Sequence, residues 1–311
     1  MDLGTDLLAA LERYFDEVPR AQSDVEEVGP FTLFRAHPSA GWPFYARPRL
    51  GLDRPVAPRD VELLLARQDE LGLPRTLEWV EEVAPSLAPA VTAVLGPAAV
   101  HRHPLLVLPP GAPLRDDAAR ACADPPPDAS LDASLDVSLD VSLDEAPLHD
   151  AVDTVAEDGL VRPAGPSYDV LPGDHPDLGA VAATVAAAFA GTDEVGPPQV
   201  GNQPDLVARG LLVVAAAREG DLLVGGGTAS PRGGAAELTG IAVLPRARRR
   251  GHGRGTTLAL ARACRAAGAD LLLLSAADDG ATALYEAVGF ARVGTACVLD
   301  AGTGGTGGTG G

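Results

Sequence analysis

Residues 237–256 read ELTGIAVLPRARRRGHGRGT. The apolar and β-branched residues Leu238, Ile241, Val243 and Leu244 suit a buried strand, which Pro245 ends. The run RRRGHGRG follows from Arg248, and the pattern beyond it predicts a helix over 256–267. Gly251, Gly253 and Gly255 let a ligand approach the main chain where side chains would forbid it. A helix N-terminus offers unpaired N–H groups and a partial positive charge, so a phosphate can rest on such a turn. Arg248, Arg249, Arg250 and Arg254 add full charges. The stretch therefore predicts a strand, a turn and a helix that together hold an anion.

Glycine turns ahead of helices serve several ligands. A P-loop needs Gly-Lys-Ser/Thr at the helix start, and this chain contains no lysine. A dinucleotide fingerprint wants an acidic residue about twenty positions on. Asp278 and Asp279 lie near that distance, but four arginines occupy the turn and no first strand of a βαβ unit precedes it. What remains is an arginine, two spacers, glycine, one spacer, glycine, just after a strand ending in Val-Leu-Pro.

That arrangement resembles the acyl-CoA turn of the GCN5-related N-acetyltransferase (GNAT) family, Gln/Arg-x-x-Gly-x-Gly/Ala. Two frames fit, Arg248/Gly251/Gly253 and Arg250/Gly253/Gly255. The first places the lead residue three positions after Pro245, as the family usually has it. The resemblance implies that the amides of Arg249, Arg250, Gly251, His252, Gly253 and Arg254 hold the CoA pyrophosphate. It also implies that Ile241, Ala242 and Val243 pair their backbone with the pantetheine arm.

Residues 271–294, LLLLSAADDGATALYEAVGFARVG, resemble a second family motif at Ala281, Leu284, Tyr285, Glu286, Gly289 and Phe290. The residues themselves predict a buried strand at 271–274 and a helix capped by Asp278 or Asp279 and ended by Gly289. The family often has Asn where this chain has Asp278, the position that would hydrogen-bond the pantetheine. By the same resemblance Tyr285 is the general acid for the departing thiolate and Glu237 the base for the amine, directly or through a water. The plainer alternatives are a Tyr285 that only packs on the 271 strand and a Glu237 that faces solvent. His252 reads as a spacer whose backbone N–H matters.

The fold expected is α/β (α+β), the GNAT acyl-CoA N-acyltransferase fold: a mixed, mostly antiparallel sheet flanked by helices, preceded by a GNAT-like N-terminal domain. The function expected is transfer of an acetyl group from acetyl-CoA, as co-substrate, to a small-molecule or peptide amine by direct attack. The alternative is a non-catalytic module that binds or senses acyl-CoA.

At 311 residues the chain can hold two cores, and 46% apolar residues exclude general disorder. Net charge is −19, but residues 124–158 alone carry eleven acidic residues and no arginine. Residues 246–254 form the dense positive patch, too short for a nucleic-acid track. Cys122, Cys264 and Cys297 lack metal-ligand spacing and suit a reducing compartment. His101 and His103 alternate on a predicted strand, where surface or packing duties are expected and no metal. Residues 1–18 read as an acidic amphipathic helix without a basic leader, and no run of eighteen apolar residues occurs. A cytoplasmic monomer or homodimer is expected, with neither membrane nor nucleic acid as partner.

In chain order, a helix is expected at 3–18 with Leu7, Leu8, Leu11, Tyr14 and Phe15 on one face. Strands at 31–35 and 44–49, a helix at 60–71, a strand at 76–80, a helix at 85–95 and a strand or strand pair at 100–108 follow. This order resembles that expected over 221–299, as in tandem acetyltransferase-like proteins. The helix near Asp60 follows DRPVAPR, not a glycine turn, so no cofactor is expected there. Residues 1–110 are thus read as a degenerate GNAT-like domain and 166–300 as the catalytic GNAT domain. Residues 111–165, with four Ser-Leu-Asp repeats, are read as an acidic linker, and 301–311 as a disordered Gly/Thr tail.

Overall fold

Helix α1 (Leu3–Arg20) buries Leu11, Tyr14 and Phe15, the face that 3.6-residue periodicity picks out. The computed structural model describes residues 3–37, 45–115 and 165–300. The Ser-Leu-Asp repeats and the Gly/Thr tail lie outside these residues. After α1 come β1 (Ser23–Val28), β2 (Phe31–Ala36), β3 (Ala46–Pro48), α2 (Pro58–Glu70), β4 (Thr76–Val80), α3 (Leu87–Leu95) and β5 (Val100–Leu108). The chain resumes with β6 (Pro166–Leu171), α4 (Leu178–Phe189) and α5 (Gln203–Ala208). It ends with β7 (Val213–Glu219), β8 (Leu222–Arg232), β9 (Ala235–Val243), α6 (His252–Ala266), β10 (Leu271–Ser275), α7 (Asp279–Val288) and β11 (Ala291–Asp300).

The order β-β-β-α-β-α-β thus occurs twice, as β1 to β5 with α2 and α3, and as β7 to β11 with α6 and α7. In each run the third and fourth strands pair in parallel, β3 with β4 and β9 with β10. The other strand pairs are antiparallel. Among the described residues eleven strands make one sheet, in the order β1-β2-β3-β4-β11-β5-β10-β9-β8-β7-β6. β5 lies between β10 and β11, and β11 between β4 and β5. Each half therefore gives its last strand to the other.

Side-chain alternation along β5 explains how one strand serves two cores. Leu106 and Leu108 join Leu258, Leu260, Leu272, Leu274 and Phe290 under α6 and α7. Leu105 and Val107 join Leu271, Leu273 and the apolar face of α1 on the opposite side. Each such leucine, fully buried, contributes about 1.5–3 kcal/mol, so the exchange is fixed from both faces. A third core, with Trp79, Phe31, Leu64 and Leu87, lies under α2 and α3.

Three local expectations change. α6 begins at His252, four residues ahead of Thr256, because Gly253 and Gly255 adopt helical backbone that the glycine count disguised. β1, SDVEEV, was not expected: its outward acids sit on an edge strand whose inward residues are Ser23 and Val28. α5 is six residues long, too short for a periodic signal. The 100–108 segment is one strand. Among the described residues no helix is long and apolar enough to cross a membrane.

Candidate active site

Parallel pairing of β9 with β10 covers three positions and ends at Leu273↔Glu237. β9 continues to Val243 while β10 stops at Ser275, so among the described residues 238–243 have no strand partner on that side. A bulge bends β9 away. Gly240 takes φ +60, and the pairing with β8 slips between Gly226 and Thr228, one extra residue on β9. The result is a notch in the sheet. One wall is an open backbone edge carrying half-buried Ile241, Ala242 and Val243.

β9 leads through a 3-10 turn at Pro245–Ala247 into α6. Arg249 at φ 61 and Gly251 at φ 86 are left-handed, and together they swing the chain into the helix. The Gly255 N–H is 2.9 Å from the Gly251 carbonyl, so the earlier amides of His252 and Gly253 are the outward donors of a helix end. Helix α2 in the first half differs. There the Asp60 carboxylate accepts from the Ala57 N–H at 2.8 Å and pairs with Arg54 at 2.8 Å, so α2 carries its own anion. The first turn of α6 contains no acid.

The four arginines divide into two pairs. Arg248 turns inward, donating to the Val243 carbonyl at 3.0 Å and the Ala188 carbonyl at 2.8 Å, which ties the turn to β9 and α4. Arg254 donates to the Arg115 carbonyl at 2.7 Å. Arg249 and Arg250 are exposed on the turn. Arg250 lies 3.0 Å from Glu219 at the end of β7. His252 is buried, with Nε2 2.9 Å from the same carboxylate and Nδ1 3.5 Å from the Tyr168 hydroxyl. Its bond, then that of Arg250, holds the Glu219 carboxyl below the usual range. His252 is thus a latch under the turn.

Gly255 is required by a neighbour. A Cβ there would sit 2.1 Å from the Tyr168 ring. Gly255→Ala is expected to cost about 1–3 kcal/mol of stability by overpacking, read as a drop in melting midpoint that shrinks when Tyr168→Ala is also present.

Downstream, Asp278 caps α7, its Oδ1 accepting from the Ala281 N–H at 2.7 Å. Its Oδ2 is buried without a partner among the described residues. Tyr285 projects from α7 into the α6–α7 core, edge-on to Phe290 at 6.3 Å. Burial, with the Asp278 charge adding, pushes its hydroxyl up to about 12. Tyr285 therefore keeps its proton at neutral pH.

Glu237 does not face open solvent. On the α1 side of the sheet, the Tyr14 hydroxyl accepts from the Glu237 N–H at 2.8 Å and donates to the Ser230 carbonyl at 2.6 Å. A helix side chain thereby bridges the β8–β9 ladder beside the carboxylate. Burial, then the charge of Glu78, pushes Glu237 up to about 7, with Arg47 offsetting. Glu78 belongs to β4, four strands away, roughly 19 Å on a flat sheet. The sheet must coil to bring the two within electrostatic reach. The Glu78 side chain keeps 34% of its surface open, yet burial raises its pKa. Glu78 is thus crowded by protein on one side and open to solvent on the other.

Tyr14, Arg47, Glu78 and Glu219 were not singled out as site residues in the sequence. Tyr14 was placed only on an apolar helix face, and the other three carry no local motif. His101 is exposed and His103 half-buried on β5.

A family model described as Acetyltransferase (GNAT) family matches residues 186–290. That stretch is a GNAT domain. Acyl transfer is the chemistry of that family. Among solved structures, the chain is similar to a GCN5-related N-acetyltransferase from Kribbella flavida. Identity is 20% over 96% of this chain and 96% of that one, at a TM-score of 0.59. The likeness in fold thus includes described residues of both halves. An acetyltransferase of the GNAT family from Novosphingobium aromaticivorans aligns at 18% identity over 90% of this chain and 91% of that one, TM-score 0.43. An aminoglycoside acetyltransferase from an uncultured soil metagenomic sample aligns at 23% identity over 40% of this chain and 91% of that one, TM-score 0.34. No curated protein matches by sequence.

Proposed function

We propose that the chain is an N-acetyltransferase whose second half, 166–300, binds acetyl-CoA and acetylates an amine. The first half, 1–110, would brace it and shape the acceptor pocket. The observation that carries this is the notch: a strand edge, unpaired among the described residues, that leads to a helix N-terminus with no acid in its first turn. Such an edge suits an amide-bearing arm and such an end suits a diphosphate. Asp60, by contrast, fills the equivalent helix end of the first half.

Acetyl-CoA supplies the acyl group as a thioester. Ile241, Ala242 and Val243 would hold its arm through the backbone, and the amides of residues 249–254 with the Arg249 and Arg250 side chains its phosphates. Glu237 takes the proton that the attacking amine gives up as nitrogen bonds to the carbonyl carbon. Tyr285 returns a proton to the sulfur as the carbon–sulfur bond breaks. The two residues belong to opposite faces of the sheet, and the notch is the opening between them.

Mass spectrometry of the purified protein for bound CoA, followed by thiol release from acetyl-CoA with a panel of amines, tests the proposal. Failure to bind CoA at millimolar supply would end it. Replacing Arg249 and Arg250 together by alanine is expected to raise the Kd for CoA about 10- to 100-fold by calorimetry, because two charge-assisted hydrogen bonds to phosphate disappear. No change would remove these side chains from the phosphate site.

A further inference from the structure

The first turn of α6 has no acid of its own, yet one reaches it from β7. Glu219 ends that strand, and its main chain is pinned on both sides, opposite Pro166 of β6 and Leu222 of β8. Its carboxylate has two partners of different character. Oε1 lies 2.9 Å from Nε2 of His252, whose side chain is 1% exposed. Both oxygens accept from the Arg250 guanidinium, at 3.1 and 3.0 Å, and that side chain is 57% exposed. The contact with His252 is fixed by burial, and the contact with Arg250 is open to solvent.

Helix α2 shows the other arrangement. There Asp60 accepts from the Ala57 N–H besides pairing with Arg54, so the acid covers main chain at the helix end. Among the described residues the Glu219 carboxylate bonds only to the side chains of Arg250 and His252, which leaves the amides of the α6 turn uncovered. Arg249, beside Arg250, is exposed and makes no ion pair among the described residues. An arriving diphosphate would therefore meet one arginine at liberty and one already held. Exposed ion pairs are weak, whereas guanidinium–phosphate bonds are charge-assisted and commonly forked, so a phosphate can win Arg250 from the carboxylate.

Building on the proposed acetyl-CoA site, we infer that Glu219 is a stand-in for the cofactor phosphate: it holds Arg250 before the cofactor arrives, yields it to the diphosphate, and takes it back as CoA leaves. Glu219 is then a positioning residue that acts through Arg250 and limits how tightly the product is held. His252 keeps its bond to Oε1 during the exchange, so the turn stays in place while the guanidinium changes partner.

The expected result is a gain in affinity, which damage to the fold would not give. Glu219→Gln drops the charge and keeps a hydrogen bond to His252 available. Its Kd for CoA by calorimetry is expected to fall about three- to fivefold, the upper part of what an exposed ion pair gives, with slower CoA dissociation in stopped flow. The Kd for pantetheine, which has no phosphates, should not move. In an Arg250→Ala background the same substitution should leave the Kd for CoA unchanged, because the two effects run through one contact. A general loss of negative charge would instead tighten CoA in both backgrounds. A gain that persists without Arg250, or an unchanged or weaker Kd in Glu219→Gln, overturns the inference and leaves the transferase standing. If the parent chain binds no CoA, the transferase reading fails and inorganic pyrophosphate is titrated instead. Tightening by Glu219→Gln that depends on Arg250 then supports the inference, and absence of binding or of tightening rejects it.

Discussion

Tyr285→Phe is expected to lower kcat about 10²- to 10⁴-fold, the range typical of a lost general acid, while the Kd for CoA stays within about twofold. The hydroxyl sits in apolar surroundings that push its pKa up to about 12, so at pH 7 it can give a proton and cannot take one. The T-shaped contact with Phe290 depends on the ring, which phenylalanine retains. Packing alone would therefore leave the rate intact. Single-turnover kinetics with acetyl-CoA separates the chemical step from product release, and an unchanged rate would reduce Tyr285 to a packing residue.

Glu237→Gln is the second large effect. A base must be ionised, and burial with the Glu78 charge raises Glu237 to about 7. The parent kcat/KM should therefore climb with pH through about 7. The variant should lose that limb and fall about 10²- to 10⁴-fold at pH 7.5. Stability supplies an independent readout. The folded chain keeps the Glu237 proton up to about pH 7 and the unfolded chain only to about 4.5, so between these values the folded state binds more protons. Stability then declines as pH rises across that window. Glu237→Gln, which carries no charge, should be more stable than the parent by about 1–3 kcal/mol at pH 8 and equal to it at pH 4. Denaturant melts at the two pH values decide this without any substrate.

The strand-turn-helix order over 237–256 was legible because its residues are consecutive, although the start of α6 was misplaced by four residues. Arginines and glycines that follow one another directly can be read off the chain, and so can ALYEAVGF on α7. Strand 76–80 and the strand segment 100–108 could be placed to the residue from their apolar runs. Arg248 shows the limit. Sequence gives its charge but not its direction, and two carbonyls claim it. The cluster of Glu12 and Glu78 around Arg47 was not legible at all. Glu12, Arg47 and Glu78 belong to three separate elements and look like ordinary surface charges. Only the coil of the sheet and the passage of α1 across it bring them together. The place of β5 was equally hidden, since its apolar pattern fits any interior strand, whichever neighbours it has.

That place has a consequence for how the chain is made. β4 and β5 emerge early from the ribosome, but β11, which fills the space between them, is the last strand of the sheet to be synthesised. At about 5–20 residues per second the wait is roughly 10–40 s. Throughout it the nascent first half shows unpaired apolar edges of the kind that invite wrong partners. Holdase chaperones that bind such edges should therefore engage this protein during translation and release it only once residue 300 is clear of the exit tunnel.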